Sequence, residues 1–430
     1  MSKISKLDQS WEKLFDKYKI LDEINKNTVF EITAKDINEF REARLMTKFD
    51  HSSQLPSLFR NNKLSILPVT RGSYIIGRFN LFHTFEPESG IECSFEFPYL
   101  ESLDYENITS ESIAINCAYV SKILHDFVNE EELLPTVNGR MSSSKFSFEI
   151  QSPNNNLHNI QVTNSQIEID GGYEGNESLI LIEAKNYISD DFLIRQLYYP
   201  YRLWESKVSK KVRPVFLTYS NGEFHLREYA FNTLDNYNSI HLVRHKKYVV
   251  QRESFNIEKL QKLLINIKIL PEPSDVPFPQ ADDFNRIINL CELLLEKDFL
   301  SKDEITENYA FTSRQTDYYS QAGQYLGLIN LANDPVTKQT GCFLTELGHK
   351  ILTTDLADRQ ELFIERILSH RVFNETLKSY LENGLVPSRT EIVLVMKESK
   401  LNGIEADSTF FRRASTVISW MHWILDKIEP

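Results

Sequence analysis

The sequence predicts an α/β protein with a mixed central sheet flanked by helices, followed by a mainly α-helical C-terminal region. Apolar runs of strand length surround one helical segment between residues 145 and 229, which is typical of an α/β domain. Beyond a proline-rich segment at residues 270–283, helical periodicity replaces the strand pattern. The length of 430 residues exceeds one ordinary domain, and the 41% hydrophobic content is that of a globular chain. We therefore expect more than one packed domain.

The N-terminal segment predicts helices at residues 8–24 and 36–47, followed by short strands at residues 61–86. Pro68 and a turn at Gly72 interrupt these strands. Apolar residues at helical spacing after a serine predict a core helix at residues 110–134.

The predicted sheet comes next along the chain. Four apolar runs and an intervening helix give the order β-β-β-α-β, and a further run extends the sheet. The runs are residues 145–150, 166–173, 178–185, 212–219 and 223–231, with the helix at residues 190–207. We place the core of the α/β domain at about residues 110–250, within an N-terminal region of residues 1–270.

The proline-rich segment predicts an extended linker at residues 271–281, because four prolines within nine residues disfavour both helix and sheet. Residues 282–350 then show three helical segments and a turn at Asn333, Asp334 and Pro335 with β-prone flanks, the order of a winged helix. Residues 351–430 predict a second helical domain, for which a weaker second winged helix is one interpretation.

Composition excludes several classes of protein. No stretch has the length and apolarity of a membrane helix or a signal peptide, so we expect a cytoplasmic protein without a membrane partner. The four cysteines lie far apart without paired histidines, which gives no support for zinc or a disulfide framework. No phosphate-binding glycine loop supports ATP or NAD. The net charge of -13 argues against nucleic acid as a partner, but a sum over the whole chain says nothing about local surfaces.

The most informative stretch is residues 166–186, where two β-prone runs flank a turn-like GNES sequence. A hairpin centred between Asn176 and Glu177 places Asp170 and Glu183 opposite each other, with Cβ atoms about 5 Å apart. Alternation along the strand puts Lys185 on the same face as Glu183. The alternative is a surface hairpin with exposed charges.

These residues have the chemistry of a metal-dependent hydrolase. Oxygen ligands without His or Cys suit Mg²⁺, which completes its coordination shell with water and substrate phosphate. A lysine beside such a site can position the attacking water or help to deprotonate it, and can stabilise charge on phosphorus. The sequence therefore predicts a phosphodiester hydrolase site in outline.

Asp170, Glu183 and Lys185 resemble the active-site motif of the PD-(D/E)XK nuclease superfamily, and the whole chain resembles its type II restriction endonucleases. The motif match is specific over residues 166–200 and looser elsewhere, and Ile169 stands where the family's nominal proline would be. The resemblance implies a restriction-endonuclease-like core that cuts double-stranded DNA at a specific sequence. It also implies a cognate DNA methyltransferase as a genetic partner. Because two strands are cut, we expect a homodimer on DNA.

The resemblance also implies roles for single residues. Asp170 and Glu183 would be ligands of Mg²⁺, and Lys185 would be the catalytic lysine. Gln196 is a candidate auxiliary residue on the following helix. An additional acid is expected, with Glu131, Glu132 and Glu168 as the candidates.

Candidate DNA contacts come from basic residues near the motif and in the C-terminal region. Basic residues interleaved with aromatic ones between residues 195 and 213 suit phosphate contact, although a helix with its aromatic stripe in the core gives the same pattern. The start of a recognition helix can read base edges. The candidates are Arg140, Lys145, Arg195, Arg202, Arg314, Gln315, Arg412 and Arg413.

Two alternatives to a restriction enzyme remain open. One is a nuclease of the same core that acts in DNA repair or on modified DNA. The other is a non-catalytic winged-helix regulator whose α/β domain has lost its activity or senses a ligand.

Overall fold

The computed structural model describes residues 5–87, 91–250, 255–334 and 338–428, and the chain forms two compact units. Unit 1 comprises residues 1–98, 110–219 and 223–249, and unit 2 comprises residues 99–109, 220–222 and 250–430. The predicted linker does not separate these units, because residues 271–281 lie inside unit 2. The segment is extended as predicted, but it is packed, with Phe278 fully buried.

The N-terminal part of unit 1 is a small helical layer against a three-stranded sheet. Its core is built around Trp11 and Phe59, whose rings meet edge to face at 4.7 Å. The predicted helices at residues 8–24 and 36–47 are each divided in two, the first at Lys19 in the left-handed region. The elements are α1 Lys6–Tyr18, α2 Ile20–Asn27, β1 Val29–Thr33, α3 Ala34–Asn38, α4 Ala43–Thr47, α5 Ser57–Asn61, β2 Ser65–Pro68, β3 Ser73–Gly77 and β4 Phe82–Thr84.

The predicted core helix at residues 110–134 is also divided. Ser110 caps its first half as expected, but Lys122 adopts a left-handed φ of 65° and ends it. After a short edge strand, β5 Ile91–Phe95, the two helices are α6 Glu111–Val120 and α7 Ile123–Val128.

The central feature of unit 1 is a mixed seven-stranded sheet among the described residues, in the order β5-β14-β13-β12-β10-β9-β6. Strand β10 pairs antiparallel with β9 and parallel with β12, so it lies inside the sheet. The remaining elements are β6 Leu134–Ser142, β7 Lys145–Gln151, β8 Leu157–Thr163, β9 Gln166–Glu174, β10 Ser178–Lys185, β11 Asp191–Leu193, α8 Arg195–Glu205, β12 Lys211–Ser220, β13 Glu223–Phe231 and β14 Ile240–Val250.

One predicted strand lies outside this sheet. Strand β7, expected to be the first strand of the sheet, instead pairs with β8 in a separate two-stranded sheet. Strand β6, which the sequence did not predict, takes the place beside β9. Its sequence carries Pro135 and Gly139 and few buried residues, so it lacks the apolar run of a typical strand.

Helix α8 packs against β9 and β10, as the predicted strand-helix-strand order requires. Tyr198 and Tyr199 are fully buried in the core of unit 1. Some of the tyrosines between residues 195 and 213 are therefore core residues. This agrees with the alternative interpretation of the segment, a helix whose aromatic stripe lies in the core.

Unit 2 is mainly helical. Its first half shows the predicted order of three helices and a hairpin, with an additional short strand in the hairpin's sheet. Pro335, part of the predicted turn, lies outside the described residues. The elements are α9 Ile257–Asn266, α10 Phe284–Lys297, β15 Leu300–Ser301, α11 Lys302–Asn308, α12 Ser313–Tyr325, β16 Ile329–Asn333, β17 Thr340–Leu344, α13 Glu346–Leu352, α14 Leu356–Leu368, α15 Arg371–Asn383, α16 Arg389–Glu398 and α17 Asp407–Leu425.

The end of unit 2 consists of helices α13 to α17. Between residues 346 and 428, all of them described, there is no strand. The hairpin that a second winged helix requires is therefore absent from this segment, and only the helical part of that prediction is confirmed. Among the described residues, no helix combines the length and the apolar composition needed to span a bilayer.

A buried ion pair inside the sheet predicts a large loss of stability on neutralisation. Arg213 donates to Glu228 at 2.9 and 2.7 Å and to the Val128 carbonyl at 2.8 Å, and both charged residues are buried. We expect Glu228→Gln to cost up to about 3–5 kcal/mol, because it removes the charge that is hydrogen-bonded to the buried guanidinium and leaves only the longer contact with Glu130 at 3.9 Å. Urea unfolding followed by circular dichroism measures this loss. Glu168→Gln, which breaks the exposed pair with Arg140, should cost less than about 1 kcal/mol, and equal effects would contradict the expectation.

A histidine pair between β13 and β14 predicts a pH-dependent stability. The His225 Nδ1 and His245 Nε2 atoms lie 3.2 Å apart, and burial together with the nearby Arg227 lowers the pKa of His245 to about 4. The unfolded state takes up a proton on His245 near pH 6.5, whereas the folded state does so only near pH 4. The protein therefore loses stability as the pH falls from about 6.5 to about 4. Above pH 6.5, His245 causes no pH dependence of stability. In His245→Gln, the midpoint of urea unfolding should depend less on pH within this window. An unchanged slope would show that His245 does not contribute.

Candidate active site

The β9–β10 hairpin has the register that the sequence predicts. Leu179 pairs with Glu174 and Ile182 pairs with Gly171, so the hairpin is centred between Asn176 and Glu177. One step further in this register are Asp170 and Glu183. A carboxylate oxygen of Asp170, Oδ2, accepts a hydrogen bond from the backbone N–H of Ala184 at 2.9 Å, which fixes the aspartate beside the end of β10.

Strand β10 carries two charged side chains at its buried end. Every residue of Ser178–Lys185 is buried, including Glu183 at 7% exposure and Lys185 at 5%. The Lys185 ammonium donates to Glu183 Oε1 at 2.6 Å and to the Ala184 carbonyl at 3.0 Å. Because the strand is paired on both edges and covered by helices, these charges are held away from bulk water. The alternative of a surface hairpin with exposed charges is therefore wrong.

Gln196 reaches the same carboxylate from helix α8. Its Nε2 donates to Glu183 Oε1 at 2.5 Å, so this oxygen receives hydrogen bonds from both Gln196 and Lys185. The Gln196 Oε1 atom is buried and has no hydrogen-bond partner among the described residues. The predicted proximity of Gln196 to the motif is confirmed, and the amide retains an unused acceptor.

A further acid near Lys185 is Glu111, which the sequence analysis did not identify. It is the first residue of α6, and its Oε1 lies 3.4 Å from the Lys185 ammonium. Two of the three candidates for an additional acid, Glu131 and Glu132, are exposed after α7 and make no described contact with the site. The only sequence signal for Glu111 was its place at the start of a predicted helix, which many surface acids share.

Glu168 lies at the edge of the site. It lines a small pocket together with Glu183 and Gln196, but its side chain is exposed and pairs with Arg140 across the β6–β9 ladder at 3.1 Å. Its position fits a residue near a substrate better than a buried ligand.

The N-terminal part of unit 1 contributes a second group of residues that sequence reasoning missed. Asp50 is buried and interacts electrostatically with Lys185. The ring of His51, which is also buried, contacts the Tyr187 hydroxyl at 2.9 Å and the Asp191 carbonyl at 2.6 Å. No local pattern distinguishes these residues, since they reach Lys185 only through tertiary folding.

Carboxylates outnumber cationic groups at this strand end, and the pKa values of Glu183, Glu111 and Lys185 are raised. Burial, assisted by the charge of Asp170, raises the pKa of Glu183 to about 8 against the opposing effect of Lys185. Burial also raises the pKa of Glu111. Burial alone would lower the pKa of Lys185, but the surrounding carboxylates outweigh it and hold the pKa well above its usual value. The lysine is therefore charged, and the acids lack enough positive charge to be fully ionised together.

The carboxylates at this strand end are ligands of the type that a hard divalent cation prefers. Glu111, Asp170 and Glu183 provide oxygen ligands, and a cation would supply the positive charge that the acids lack. As the side chains stand, however, the Lys185 ammonium bridges Glu183 and Glu111. In the part of the chain that the structure describes, no three His, Cys, Asp or Glu side chains are arranged to hold a metal ion. Cation binding therefore requires a rearrangement of these side chains.

The predicted DNA contacts of unit 1 have different environments. Arg202 donates to the Ser147 and Leu234 carbonyls at 3.1 and 3.0 Å and pairs with Asp235, so its guanidinium is used within the fold. Arg195 lies over the Tyr199 ring, and its Nε atom is buried without a hydrogen-bond partner among the described residues. Lys145 is exposed at the start of β7.

The predicted contacts of unit 2 also differ from one another. Arg314 and Arg412 are exposed, whereas Arg413 is buried at 9% exposure. The Gln315 side chain accepts a hydrogen bond from the Thr312 N–H at 2.9 Å and completes a capping box, which favours a structural role for this glutamine.

Comparison with known proteins gives three family matches that together span most of the chain. Each family is described only as a domain of unknown function: DUF6996 matches residues 8–76, DUF6997 matches residues 77–249, and DUF7226 matches residues 286–429. No curated protein and no solved structure matches the chain. Glu111, Asp170, Glu183, Lys185 and Gln196 all fall within the DUF6997 match, whereas Asp50 falls within the DUF6996 match.

The excess of carboxylates predicts that removing one will stabilise the protein. In Glu111→Gln, we expect the free energy of unfolding to rise by less than about 1 kcal/mol, because one of several neighbouring carboxylate charges is removed while the side-chain shape is kept, and the 36% exposure of Glu111 screens the effect. Thermal unfolding in chelator at neutral pH measures this change. The exposed Glu132→Gln is the matched control and should leave the melting temperature unchanged. A lower melting temperature for Glu111→Gln would contradict the proposed excess of negative charge.

Proposed function

We propose that the chain is a Mg²⁺-dependent endonuclease that hydrolyses phosphodiester bonds in double-stranded DNA, with a PD-(D/E)XK core in unit 1. The observation that carries the proposal is the convergence of Glu111, Asp170, Glu183, Lys185 and Gln196 at one buried strand end. Burial of the charged Glu183 and Lys185 beside two further carboxylates is costly in a structural role, so a function for them is favoured.

The acids and the lysine have separable roles in this proposal. Glu111, Asp170 and Glu183 would hold Mg²⁺, which when bound supplies an activated water and neutralises charge at phosphorus. Lys185 is charged, because its pKa is raised well above its usual value by the neighbouring carboxylates. In this proposal it serves as an electrostatic stabiliser of the developing negative charge.

One contact from the backbone and one from a side chain orient the acids. The Ala184 N–H holds one oxygen of Asp170, and Gln196 holds one oxygen of Glu183. These hydrogen bonds hold one oxygen of each carboxylate and leave the other oxygens for a ligand, which binds once the contacts of Lys185 with Glu183 and Glu111 have rearranged. Gln196 is a positioning residue in this proposal.

The substrate and the assembly rest on the resemblance to type II restriction endonucleases. In this interpretation the chain cuts a specific sequence as a homodimer, and a cognate methyltransferase protects the host DNA. The helix order of α10 to α12 followed by the β16–β17 hairpin supports the assignment of a winged helix that contacts DNA.

A non-catalytic regulator is the second candidate. The observation that favours it is the direct Lys185–Glu183 pair, which neutralises part of the acid cluster without a metal. A regulator would keep this pair as a buried structural ion pair and would bind DNA without cleaving it.

Cleavage of unmodified plasmid and phage DNA in Mg²⁺ tests the proposal. We expect discrete fragments from the wild-type chain, and a loss of at least about 100-fold in rate for Glu183→Gln and for Lys185→Met, because each removes a group that stabilises the transition state. Glu131→Gln and the exposed Lys262→Met are matched controls and should cleave normally.

Three results would count against the proposal. Wild-type protein that binds DNA without cleaving it would favour the regulator. Cleavage that survives in both site variants would show a contaminating nuclease. Cleavage of DNA at random positions, lost in both variants, would keep the hydrolase but exclude a sequence-specific restriction enzyme.

A further inference from the structure

Helices α12 and α17 are brought together at the start of α10. From α17, Thr416 donates to Asp282 Oδ1 at 2.6 Å. From α12, the Tyr319 hydroxyl hydrogen-bonds to the backbone of Asp283. Both helices also pack against α10 itself. The two segments expected to act as separate recognition helices therefore share one anchoring point.

Arg413 lies on the packed face of α17. It precedes Thr416 and Trp420 by three and seven residues, so the three side chains project from the same side of the helix. Arg413 is 91% buried, since its exposure is 9%, and its Nε atom is buried without a hydrogen-bond partner in the part of the chain that the structure describes. Among the described residues, no carboxylate forms an ion pair with it.

An unpaired guanidinium in this environment is unfavourable for folding. Burial, together with the like charge of Arg412, lowers the pKa of Arg413 below its usual value. Buried charges in proteins are normally paired or hydrogen-bonded, because their desolvation is otherwise uncompensated. Unit 2 thus carries a largely buried arginine whose Nε donor and positive charge have no protein partner among the described residues.

Further cationic groups lie next to this arginine. The Tyr318 phenol interacts electrostatically with Arg413, and its hydroxyl accepts a hydrogen bond from Arg314 Nε at 2.8 Å. Arg412 is exposed beside it in the sequence. We call Arg314, Tyr318, Arg412 and Arg413 the arginine cluster.

The acidic residues on these two helices do not neutralise the arginine cluster. Asp317 on α12 pairs with Lys302, and Asp407 at the start of α17 pairs with Lys397 at 2.7 Å. Their negative charge is therefore already engaged. The cluster is a local excess of positive charge in a chain whose net charge is -13.

We propose that the arginine cluster is a single phosphate-binding site for a nucleic-acid backbone, with Arg413 as its anchor. A phosphate oxygen accepts the planar donors of a guanidinium, which would supply the partner that Arg413 lacks. The neighbouring Tyr318 ring and the exposed Arg314 and Arg412 favour nucleic acid over an acidic peptide, because phosphate contacts and aromatic surfaces occur together in nucleic-acid sites.

This assignment changes the expected role of the residues. A buried Arg413 cannot enter a major groove to read a base edge, whereas an anchored phosphate fixes the register of the duplex. The proposal rests on the part of the proposed function that makes nucleic acid the substrate. It does not depend on hydrolysis.

Binding of a short labelled DNA duplex tests the site in the full chain. We use an Asp170→Asn background in Mg²⁺, so that cleavage does not interfere, and follow fluorescence anisotropy over a range of salt concentrations. Arg413→Met should weaken binding about tenfold and reduce the slope of log affinity against log salt by about one, as expected for one lost phosphate contact. Arg389→Met, which removes an exposed arginine of α16, is the matched control and should change neither quantity.

Stability separates a ligand site from a structural arginine. Because Arg413→Met removes an unpaired buried charge, its melting temperature should equal or exceed that of the parent protein. Arg412 is exposed, so Arg412→Met should fold normally, and it should also weaken DNA binding. This second variant tests the site even if Arg413→Met folds poorly.

Two outcomes would overturn the phosphate site, and a third would overturn only the proposed nuclease. DNA affinity of Arg413→Met and Arg412→Met within twofold of the Arg389→Met control would exclude a phosphate contact. Polyglutamate that binds the cluster when DNA does not would assign it to an acidic peptide. Wild-type protein that never cleaves DNA, combined with the tenfold binding effect, would instead refute the proposed nuclease and leave the phosphate site in place.

Discussion

The arrangement of unit 1 depends on one interaction, the contact between the Lys185 ammonium and Glu183 at the buried end of β10. Both groups lie on a strand that is paired on both edges and almost wholly buried, so neither can reach bulk water. In such surroundings a charge must be compensated locally. Lys185 and Glu183 compensate each other, and the elements around β10 add one amide and three acids that exceed the positive charge of the lysine: β9 brings Asp170, α6 brings Glu111, α8 brings Gln196, and the N-terminal layer brings Asp50.

This convergence links parts of the chain that fall in different family matches. Asp50 lies in the DUF6996 match, whereas the other residues of the site lie in the DUF6997 match. Both segments belong to unit 1, and His51 is joined to Tyr187 and to the Asp191 carbonyl. The boundary between the two matches thus does not separate two functional modules. We regard the N-terminal layer as part of the candidate active site.

Local features of the site could be predicted from the sequence, and tertiary ones could not. The turn sequence fixes the centre of the β9–β10 hairpin, which in turn fixes the positions of Asp170, Glu183 and Lys185. Glu111 and Asp50 are brought to the site from distant segments without a distinguishing local pattern. Strand β7 was assigned to the wrong sheet because its alternating pattern shows that it is a strand but not which strand it pairs with. Arg413 resembled an exposed residue at a helix start, and only the packing of α17 shows that it is buried.

If the acids around Lys185 form a divalent-cation site, Mn²⁺ will bind there, and electron paramagnetic resonance measures this binding. We expect one tightly bound Mn²⁺ per wild-type chain, loss of this binding in Glu183→Gln, and retention of it in Glu132→Gln. Mg²⁺ should displace the bound Mn²⁺, since oxygen ligands suit both ions. A wild-type chain that binds no Mn²⁺, or Glu183→Gln that binds Mn²⁺ as tightly as the wild type, would show that these acids do not form a cation site.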